Sequence, residues 1–279
     1  MCTPDELESM LRGSEGLQLE IIRDVGRYTV ALFAGFDSDG SGHLKLAGTG
    51  TLVTVEGSHY ILTASHVWEE VLKCADKVGI TLTEDIDHSF FMSVKAIVPS
   101  GPPKPASWNE WGPDVTLLRV PPEHLGSIKA HKDFYSATVD GKTTPGVSQI
   151  EARLLIGTPA ELGEFAPNHA EVVIGGFFAD VEAPCEAHGD FDYVDLDVDV
   201  SSPDLPKNYG GVSGGGLWKV LIRCECPTGK TEWDHVLEGV AFHQSDIKND
   251  RRTIRCHGPK SIAAAMALVS SSRPNGESK

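Results

Sequence analysis

Short runs of β-branched and other apolar residues, separated by turns that contain glycine and proline, make up most of this chain. One run, 193–200, alternates: Leu196, Val198 and Val200 are apolar, and each of them follows an aspartate. A period of two is typical of a strand with one face in a core and one in water. Many such strands predict an all-β fold of barrels or a sandwich. The predicted runs are 28–33, 49–55, 60–63, 90–98, 115–120, 152–156, 171–178, 193–200, 217–223 and 236–242.

The two ends of the chain follow a different pattern. Residues 1–24 carry apolar side chains at near-helical spacing, which predicts an N-terminal helical segment. The run 259–270 predicts a closing helix with a proline in its first turn. Between them we expect a first barrel over 25–140 and a second over 141–270, divided at a loop with glycine and proline. The polar residues 271–279 are expected to form a flexible tail.

The charge of the chain argues against two classes of partner. There are 40 acidic and 24 basic residues, which gives a formal net charge of −16. Nucleic acids and anionic membranes are bound through basic surfaces, so we expect neither as a partner. No stretch approaches the roughly 18 apolar residues that span a membrane, and the acidic N-terminus lacks the apolar core of a secretory signal. We therefore expect a cytoplasmic protein whose six cysteines are reduced.

The segment 210–216 reads Gly-Gly-Val-Ser-Gly-Gly-Gly and precedes an apolar run. Glycine permits positive φ and close backbone approach, so that amide N–H groups can converge beside the hydroxyl of Ser213. The Gly-Lys-Ser/Thr pattern of a phosphate-binding loop is absent, and a strand rather than a helix is predicted to follow. Taken alone, the segment fits an exposed nucleophile and a plain turn equally well.

A histidine and an aspartate stand beside two other predicted strands. His66 closely follows the run 60–63 and precedes a short helical stretch. Asp114 follows a proline and precedes the apolar run 115–120. Taken singly, such a histidine is usually structural and such an aspartate is usually a turn residue.

Together, the three segments resemble the trypsin-like serine proteases in content and in order. Residues 63–66, Thr-Ala-Ser-His, resemble the segment around the general base of that family. Residues 114–118, Asp-Val-Thr-Leu-Leu, resemble its aspartate segment, and residues 211–215, Gly-Val-Ser-Gly-Gly, resemble its nucleophile loop. The order His, Asp, Ser is that of chymotrypsin, not of subtilisin or the α/β-hydrolases. The resemblance covers residues 25–270 and implies two packed antiparallel six-stranded β-barrels, with an N-terminal and a C-terminal helix.

The resemblance also implies a function and a set of site residues. The function is that of a serine endopeptidase, which cleaves peptide bonds in a protein or peptide substrate through an acyl-enzyme. Ser213 is then the nucleophile, His66 the general base and acid, and Asp114 the residue that orients His66. The backbone N–H groups of Gly211 and Ser213 form the implied oxyanion hole. Two alternatives stay open: a catalytically silent protease-like binding module, and an esterase or acyl transferase with the same triad.

Gly214 departs from one branch of the family. Members that are activated by propeptide cleavage carry an aspartate next to the nucleophile, which pairs with the new N-terminal ammonium group. This chain has glycine there, and no Ile-Val-Gly-Gly-like activation site precedes it. It is nearest to bacterial, HtrA-like and viral members, which share the glycine. We therefore expect control through an activating partner or regulatory protein, or through the ordering of a loop.

The specificity pocket is less clearly marked. Residues 239–244 resemble the wall strand of the family's pocket, so the backbone of Phe242, His243 and Gln244 is expected to pair with an extended substrate. The resemblance places Lys207 at the pocket base, where no aspartate supports a trypsin-like preference. Two interpretations of Lys207 stay open: with His243 it favours an acidic side chain, or it points into solvent.

Two sequence patterns resemble metal-binding motifs, but each departs from the ligand pattern that its metal requires. Residues 37–42 resemble half of a calcium loop, but position 48 is glycine where a bidentate glutamate is needed. Cys224 and Cys226, with Cys256 and His257 further on, have only one residue between the first pair, where zinc sites have two to four. We therefore expect a hairpin turn and buried thiols, with no metal and no cofactor.

Overall fold

The structure is a computed structural model and describes residues 3–35, 44–82, 89–102, 111–136, 148–166, 169–181, 187–202, 205–225 and 230–271. The helices are α1 (Pro4–Gly13), α2 (Glu15–Gly26), α3 (Ser65–Cys74), α4 (Leu125–Lys129) and α5 (Pro259–Ser271). The strands of the first half are β1 (Thr29–Gly35), β2 (Leu44–Val55), β3 (Ser58–Thr63), β4 (Lys77–Thr81), β5 (Ser89–Ser93), β6 (Val98–Ser100), β7 (Thr116–Arg119) and β8 (Tyr135–Ser136). Those of the second half are β9 (Ser148–Gly157), β10 (Glu164–Ala166), β11 (His169–Glu171), β12 (Gly175–Val181), β13 (Ala187–His188), β14 (Phe191–Asp199), β15 (Gly216–Glu225), β16 (Lys230–Gln244) and β17 (Arg251–His257).

The first half forms a half-barrel. Its antiparallel strands follow the order β5-β4-β1-β2-β3-β7-β6, and β8 pairs in parallel with β2. Helix α3 packs against β1 and β2 and buries its apolar side chains in their core. That core includes Leu32, Leu52, Ile61 and Trp68. Among the described strands, β5 and β6 do not pair with each other, so this sheet is not closed as the second one is.

The second half forms a closed six-stranded antiparallel barrel. Its strands follow the order β12-β9-β15-β16-β17-β14, and β12 pairs with β14 to complete the ring. Leu196, Val198 and Val200 lie in its core, whereas Asp195 and Asp197 are more exposed. The alternation therefore arises because successive side chains of a strand point to opposite faces.

The N-terminal segment of the chain forms two helices, α1 and α2, rather than one, and they cover the outside of this barrel. The break lies at Ser14, whose side-chain oxygen accepts a hydrogen bond from the N–H of Leu17 and so caps α2. Leu7 and Ile21 are fully buried in one cluster with Trp218 of β15. The predicted N-terminal helical segment is thus part of the core.

The C-terminal helix α5 joins the two halves. Its Ile262 and Val269 pack in one cluster with Leu117 of the half-barrel and Val240 of the barrel. Its first turn is capped by the buried Asp192, whose carboxylate accepts backbone hydrogen bonds there. A carboxylate at this end of a helix also interacts favourably with the helix dipole.

The predicted fold class is confirmed: the chain is mostly β, with a closed six-stranded barrel, a half-barrel sheet and helices at both ends. The predicted run 90–98 is divided by a 3-10 turn into β5 and β6, and neither β4 nor β17 was predicted. The proposed division at 140/141, the calcium-like turn at 37–42 and residues 272–279 lie outside the described residues. Within the part that is described, no helix is long and apolar enough to cross a membrane.

Candidate active site

His66 and Asp114 form a hydrogen-bonded pair because they stand beside neighbouring strands. Thr63, at the end of β3, is paired with Thr116, at the start of β7, so the residues that flank these strands are adjacent. His66 Nδ1 lies 2.5 Å from Asp114 Oδ2, and the backbone N–H of His66 donates to Oδ1 at 2.9 Å. A carboxylate can only accept, so Nδ1 carries a proton, and in a neutral imidazole the lone pair is then on Nε2. The imidazole is half-buried, and Asp114 is fully buried.

A second histidine supports Asp114 from behind. The backbone N–H of Asp114 donates to His257 Nε2 at 2.9 Å. Burial lowers the pKa of His257 from 6.5 to about 4, partly opposed by the carboxylates of Asp114 and Asp192. The ring is therefore neutral near pH 7 and carries its proton on Nδ1, which has no hydrogen-bond partner within the described residues. Its face stacks on Phe242, with the ring centroids 4.2 Å apart.

Ser213 lies on a turn that only glycine can build at two positions. Gly211 has φ of 93° and Gly214 has φ of 88°, the left-handed region that side chains rarely adopt. There is no room for a side chain either. A Cβ at 214 would lie 1.9 Å from the carbonyl oxygen of Thr49, and one at 211 would lie 2.4 Å from that of Thr158. The glycines of this segment are therefore a steric requirement of the loop conformation.

The two amide groups predicted for the oxyanion hole are held in fixed orientations. Gly210 O, in the same peptide group as Gly211 N, accepts from Ala160 N at 2.7 Å. Val212 O, in the same peptide group as Ser213 N, accepts from Gly215 N at 2.8 Å. In a trans peptide the N–H points opposite to the C=O, so both N–H groups point away from these partners. Neither N–H donates a hydrogen bond to any described residue. Both are therefore available as donors.

Thr49 of β2 connects the serine loop to the half-barrel. Its N–H donates to Ser213 O at 2.8 Å, and its hydroxyl donates to Gly211 O at 2.6 Å. The same hydroxyl lies 2.8 Å from Thr158 Oγ1. The neighbouring Gly48 has no space for a side chain, since a Cβ there would lie 2.9 Å from Ser213 O. Strand β2 thus lies directly against the loop that carries Ser213.

A cavity of about 290 Å³ brings most of the predicted site residues together. Six of them line it: His66, Gly211, Ser213, Phe242, His243 and Gln244. Asp114 lies behind His66, out of solvent. Within the described residues no hydrogen bond joins Ser213 Oγ to His66. Such bonds are often long in enzymes without bound substrate and tighten on binding.

The structure does not bring Lys207 to this cavity. Lys207 is exposed and is not among the residues that line it. Its outward position agrees with the solvent interpretation left open by the sequence. Cys224 and Cys256 are buried in different core clusters and are not joined by a disulfide, and Cys226 lies outside the described residues. Across the described ranges, no group of three or more histidine, cysteine, aspartate or glutamate side chains is placed to hold a metal ion.

A larger cavity, of about 590 Å³, lies between α1 and the outer face of the barrel. Its lining includes charged side chains of both signs, among them Arg12, Arg153 and Asp197. None of the predicted site residues lines it. Size alone does not make it the candidate active site, because it lacks the paired histidine and aspartate described above.

Sequence reasoning missed two residues that complete the site. His257 lies on the unpredicted strand β17, and nothing in the sequence pattern connects it with Asp114. Thr49 lies within a predicted strand, and its contacts reach residues more than one hundred positions away. Only the packing of the two halves reveals either role.

Comparison with known proteins adds little to this description. No family model matches the chain, and the search of curated proteins found no match. Among solved structures, one similar chain is described as "Aromatic interactions drive the coupled folding and binding of the intrinsically disordered Sesbania mosaic virus VPg protein". It is 14% identical, the match covers 88% of this chain and 92% of that chain, and the TM-score is 0.43. At this TM-score the likeness carries no argument about function.

Proposed function

We propose that this chain is a serine endopeptidase that cleaves peptide bonds through Ser213, His66 and Asp114. One observation carries the proposal: the hydrogen-bonded pair of His66 and buried Asp114 faces the same cavity as Ser213. Because Nδ1 donates to Asp114, a neutral His66 accepts a proton at Nε2, which is the arrangement that activates a serine hydroxyl. The proposed compartment is the cytoplasm, and the proposed substrate is a protein or peptide.

In the proposed mechanism, Ser213 Oγ attacks the substrate carbonyl while His66 Nε2 takes its proton. Asp114 stabilises the imidazolium that forms and holds the ring in place. The N–H groups of Gly211 and Ser213 donate to the oxyanion of the tetrahedral intermediate, where one donor typically contributes about 2.7–4 kcal/mol. His66 then gives its proton to the leaving amine, and water releases the acyl group by the same steps in reverse.

The end of β16 supplies the proposed binding edge for substrate. Phe242, His243 and Gln244 line the cavity beside Ser213 and lie on this strand. An extended peptide that adds to the strand through backbone hydrogen bonds places its carbonyl group near the nucleophile. This geometry favours a peptide over a small ester as substrate.

The loop conformation supports activity without cleavage of a propeptide. The position after the nucleophile has no space for a side chain, because a Cβ at Gly214 would collide with Thr49 O. The residue on the other side of Ser213, Val212, is apolar and buried, so neither neighbour of the nucleophile can pair with a new N-terminal ammonium group. The N-terminal helices are also buried against the barrel, with Leu7 and Ile21 fully enclosed. Control through a partner protein that orders the site is the proposed alternative.

A fluorophosphonate probe, read by intact mass, tests the proposal. We expect the wild-type protein to gain one covalent label and Ser213→Ala to gain none, since only an activated serine reacts. Cleavage of peptides by the labelling-competent protein separates an endopeptidase from an esterase, which hydrolyses small esters alone. Absence of labelling in the wild type, with and without candidate partner proteins, would contradict the proposal.

A catalytically silent binding module is the second candidate. It is favoured by the missing hydrogen bond between Ser213 Oγ and His66 in the described structure. Such a module binds extended peptides along β16 without cleaving them. Peptide binding to the wild type, with no labelling and no cleavage, would support this candidate.

A further inference from the structure

Strand β17 carries three arginines, and two of them are neutralised on the outer face of the barrel. Arg251 donates to Asp197 at 2.6 Å, and Arg255 donates to Asp195 at 2.7 Å. Both aspartates lie on the neighbouring strand β14. Residues 251 and 255 share one face of the strand because they are separated by an even number of positions. These two charges are therefore matched within the protein.

Arg252 lies on the opposite face of β17; it does not itself line the cavity beside Ser213 but contacts a residue that does. It shares its face with Ile254, which lines that cavity. Its guanidinium donates to the side-chain oxygen of Gln244, another lining residue. Within the described residues Arg252 makes no ion pair, and its Nε is buried without a hydrogen-bond partner. A half-buried cation is thus left with only a neutral amide as its partner.

Tyr209 carries a second donor without a partner among the described residues. It lines the cavity, is 3% exposed, and its hydroxyl has no hydrogen-bond partner among the described residues. The backbone N–H of Tyr209 and the guanidinium of Arg252 both donate to Gln244 Oε1, so the two residues are neighbours. Burial raises the pKa of Tyr209 to about 12, and the positive charge of Arg252 partly opposes the shift. Tyr209 therefore stays protonated near neutral pH and can donate.

We propose that this cavity binds an acidic side chain, glutamate or aspartate, of the residue whose carbonyl group Ser213 attacks. Arg252 supplies the positive charge and a donor, and Tyr209 supplies a second donor, so that a carboxylate satisfies groups the protein leaves unpaired. The assignment rests on the proposed function for its position in the substrate. It moves the determinant of specificity from the exposed Lys207 to Arg252.

Binding to Ser213→Ala tests this assignment independently of catalysis. The probes are five fluorescein-labelled hexapeptide pools, randomised among neutral residues except for one position fixed as Glu, Asp, Gln, Leu or Lys. Fluorescence polarisation gives the dissociation constant of each pool. We expect an acidic pool to bind about tenfold more tightly than the Gln and Leu pools, because a charge-assisted hydrogen bond is stronger than a neutral one.

Two arginine variants in the Ser213→Ala background locate the effect. Arg252→Met is expected to abolish the acidic preference, whereas Arg251→Met, on the same strand but the outer face, is expected to keep it. Equal binding of acidic and Gln pools, a preference for Leu or Lys, no binding of any pool, or an unchanged preference in Arg252→Met would overturn the assignment. The five-pool comparison alone decides the matter where Arg252→Met does not fold.

The labelling experiment on the wild type keeps the two proposals apart. Labelling of Ser213 without an acidic preference overturns the specificity assignment and leaves the peptidase proposal standing. An acidic preference without labelling overturns the peptidase proposal and supports the carboxylate site. The cavity then binds acidic side chains in a protein that does not cleave peptides.

Discussion

Replacing His257 by phenylalanine tests whether a neutral, buried histidine supports Asp114. His257 is fully buried and accepts the backbone N–H of Asp114 through Nε2. Phenylalanine keeps an aromatic ring against Phe242 but removes the acceptor. One unpaired buried N–H, on Nδ1 of His257, disappears, and another, on Asp114, is created. Each is worth about 1–3 kcal/mol, so we expect a modest net change in the free energy of unfolding at pH 7.

The larger expected effect of His257 is on the pH dependence of the free energy of unfolding. Burial lowers the pKa of His257 from 6.5 to about 4. Between these values the unfolded chain takes up a proton on this residue and the native protein does not, so native stability falls as the pH is lowered. At about 1.4 kcal/mol per pH unit, the full loss from this one residue is about 3 kcal/mol by pH 4 and about 2 kcal/mol by pH 5. His257→Phe lacks this proton uptake and escapes the loss.

Urea unfolding of both proteins, followed by tryptophan fluorescence at pH 7, 6 and 5, measures the difference. The wild type is expected to lose about 2 kcal/mol relative to His257→Phe between pH 7 and 5. Other groups that titrate here, including His235, whose pKa burial also lowers, contribute equally to both proteins and cancel. A difference that does not change with pH, or that grows in favour of the wild type in acid, would refute the assignment of a neutral acceptor.

His257→Gln separates the hydrogen bond from the titration in the same experiment. Glutamine does not titrate, so the pH dependence is expected to disappear as in the phenylalanine variant. Its side-chain oxygen can accept from Asp114 N, so peptide-hydrolysis activity is expected to exceed that of His257→Phe. Equal activity in the two variants would show that the acceptor has no part in positioning Asp114.

Two further changes test the triad and the N-terminal helices. Asp114→Asn removes the charge that stabilises protonated His66, and kcat/KM for peptide hydrolysis is expected to fall about 10⁴-fold; a fall below tenfold contradicts the assigned role. Leu7→Ala truncates a fully buried side chain in the Trp218 cluster, and its free energy of unfolding in urea is expected to fall by about 2–5 kcal/mol. Leu19→Ala, 51% exposed on α2, is the matched control, and an equal effect there contradicts the packing.

The strands that the sequence predicted are short runs of β-branched and other apolar residues, and in 193–200 the run also alternates with acidic residues. Leu196 and Val198 indicate β14 because aspartates alternate with them along the chain. Strand β17 has the same alternation, with Ile254 and Cys256 buried, yet arginines occupy most of its other positions and conceal the period. The arginines are stable there because aspartates of β14 neutralise two of them. This charge neutralisation depends on β14 being the neighbour of β17, and the local sequence of β17 does not show which strand will be its neighbour.

Some residues of the candidate site are recognisable from local sequence, whereas the positions of others depend on tertiary packing. His66, Asp114 and Ser213 were found because each lies in a short segment with a recognisable residue order. Lys207 was placed at the pocket by its distance along the chain, and the structure leaves it exposed. Distance along the chain fixes position only within one element, whereas the cavity is built from loops and strands of both halves.

Thr49 shows why the relative placement of the triad is a property of the two halves together. Its hydroxyl and N–H hold the carbonyl groups of Gly211 and Ser213, while its own carbonyl accepts from the hydroxyl of Thr63 at 2.7 Å. Thr63 ends the strand that leads to His66, so one buried residue contacts both arms of the site. A shift of one residue in the pairing of β2 would turn this side chain to the opposite face and release the serine loop. The alignment of nucleophile and base therefore depends on strand register in the half-barrel, although the nucleophile belongs to the other barrel.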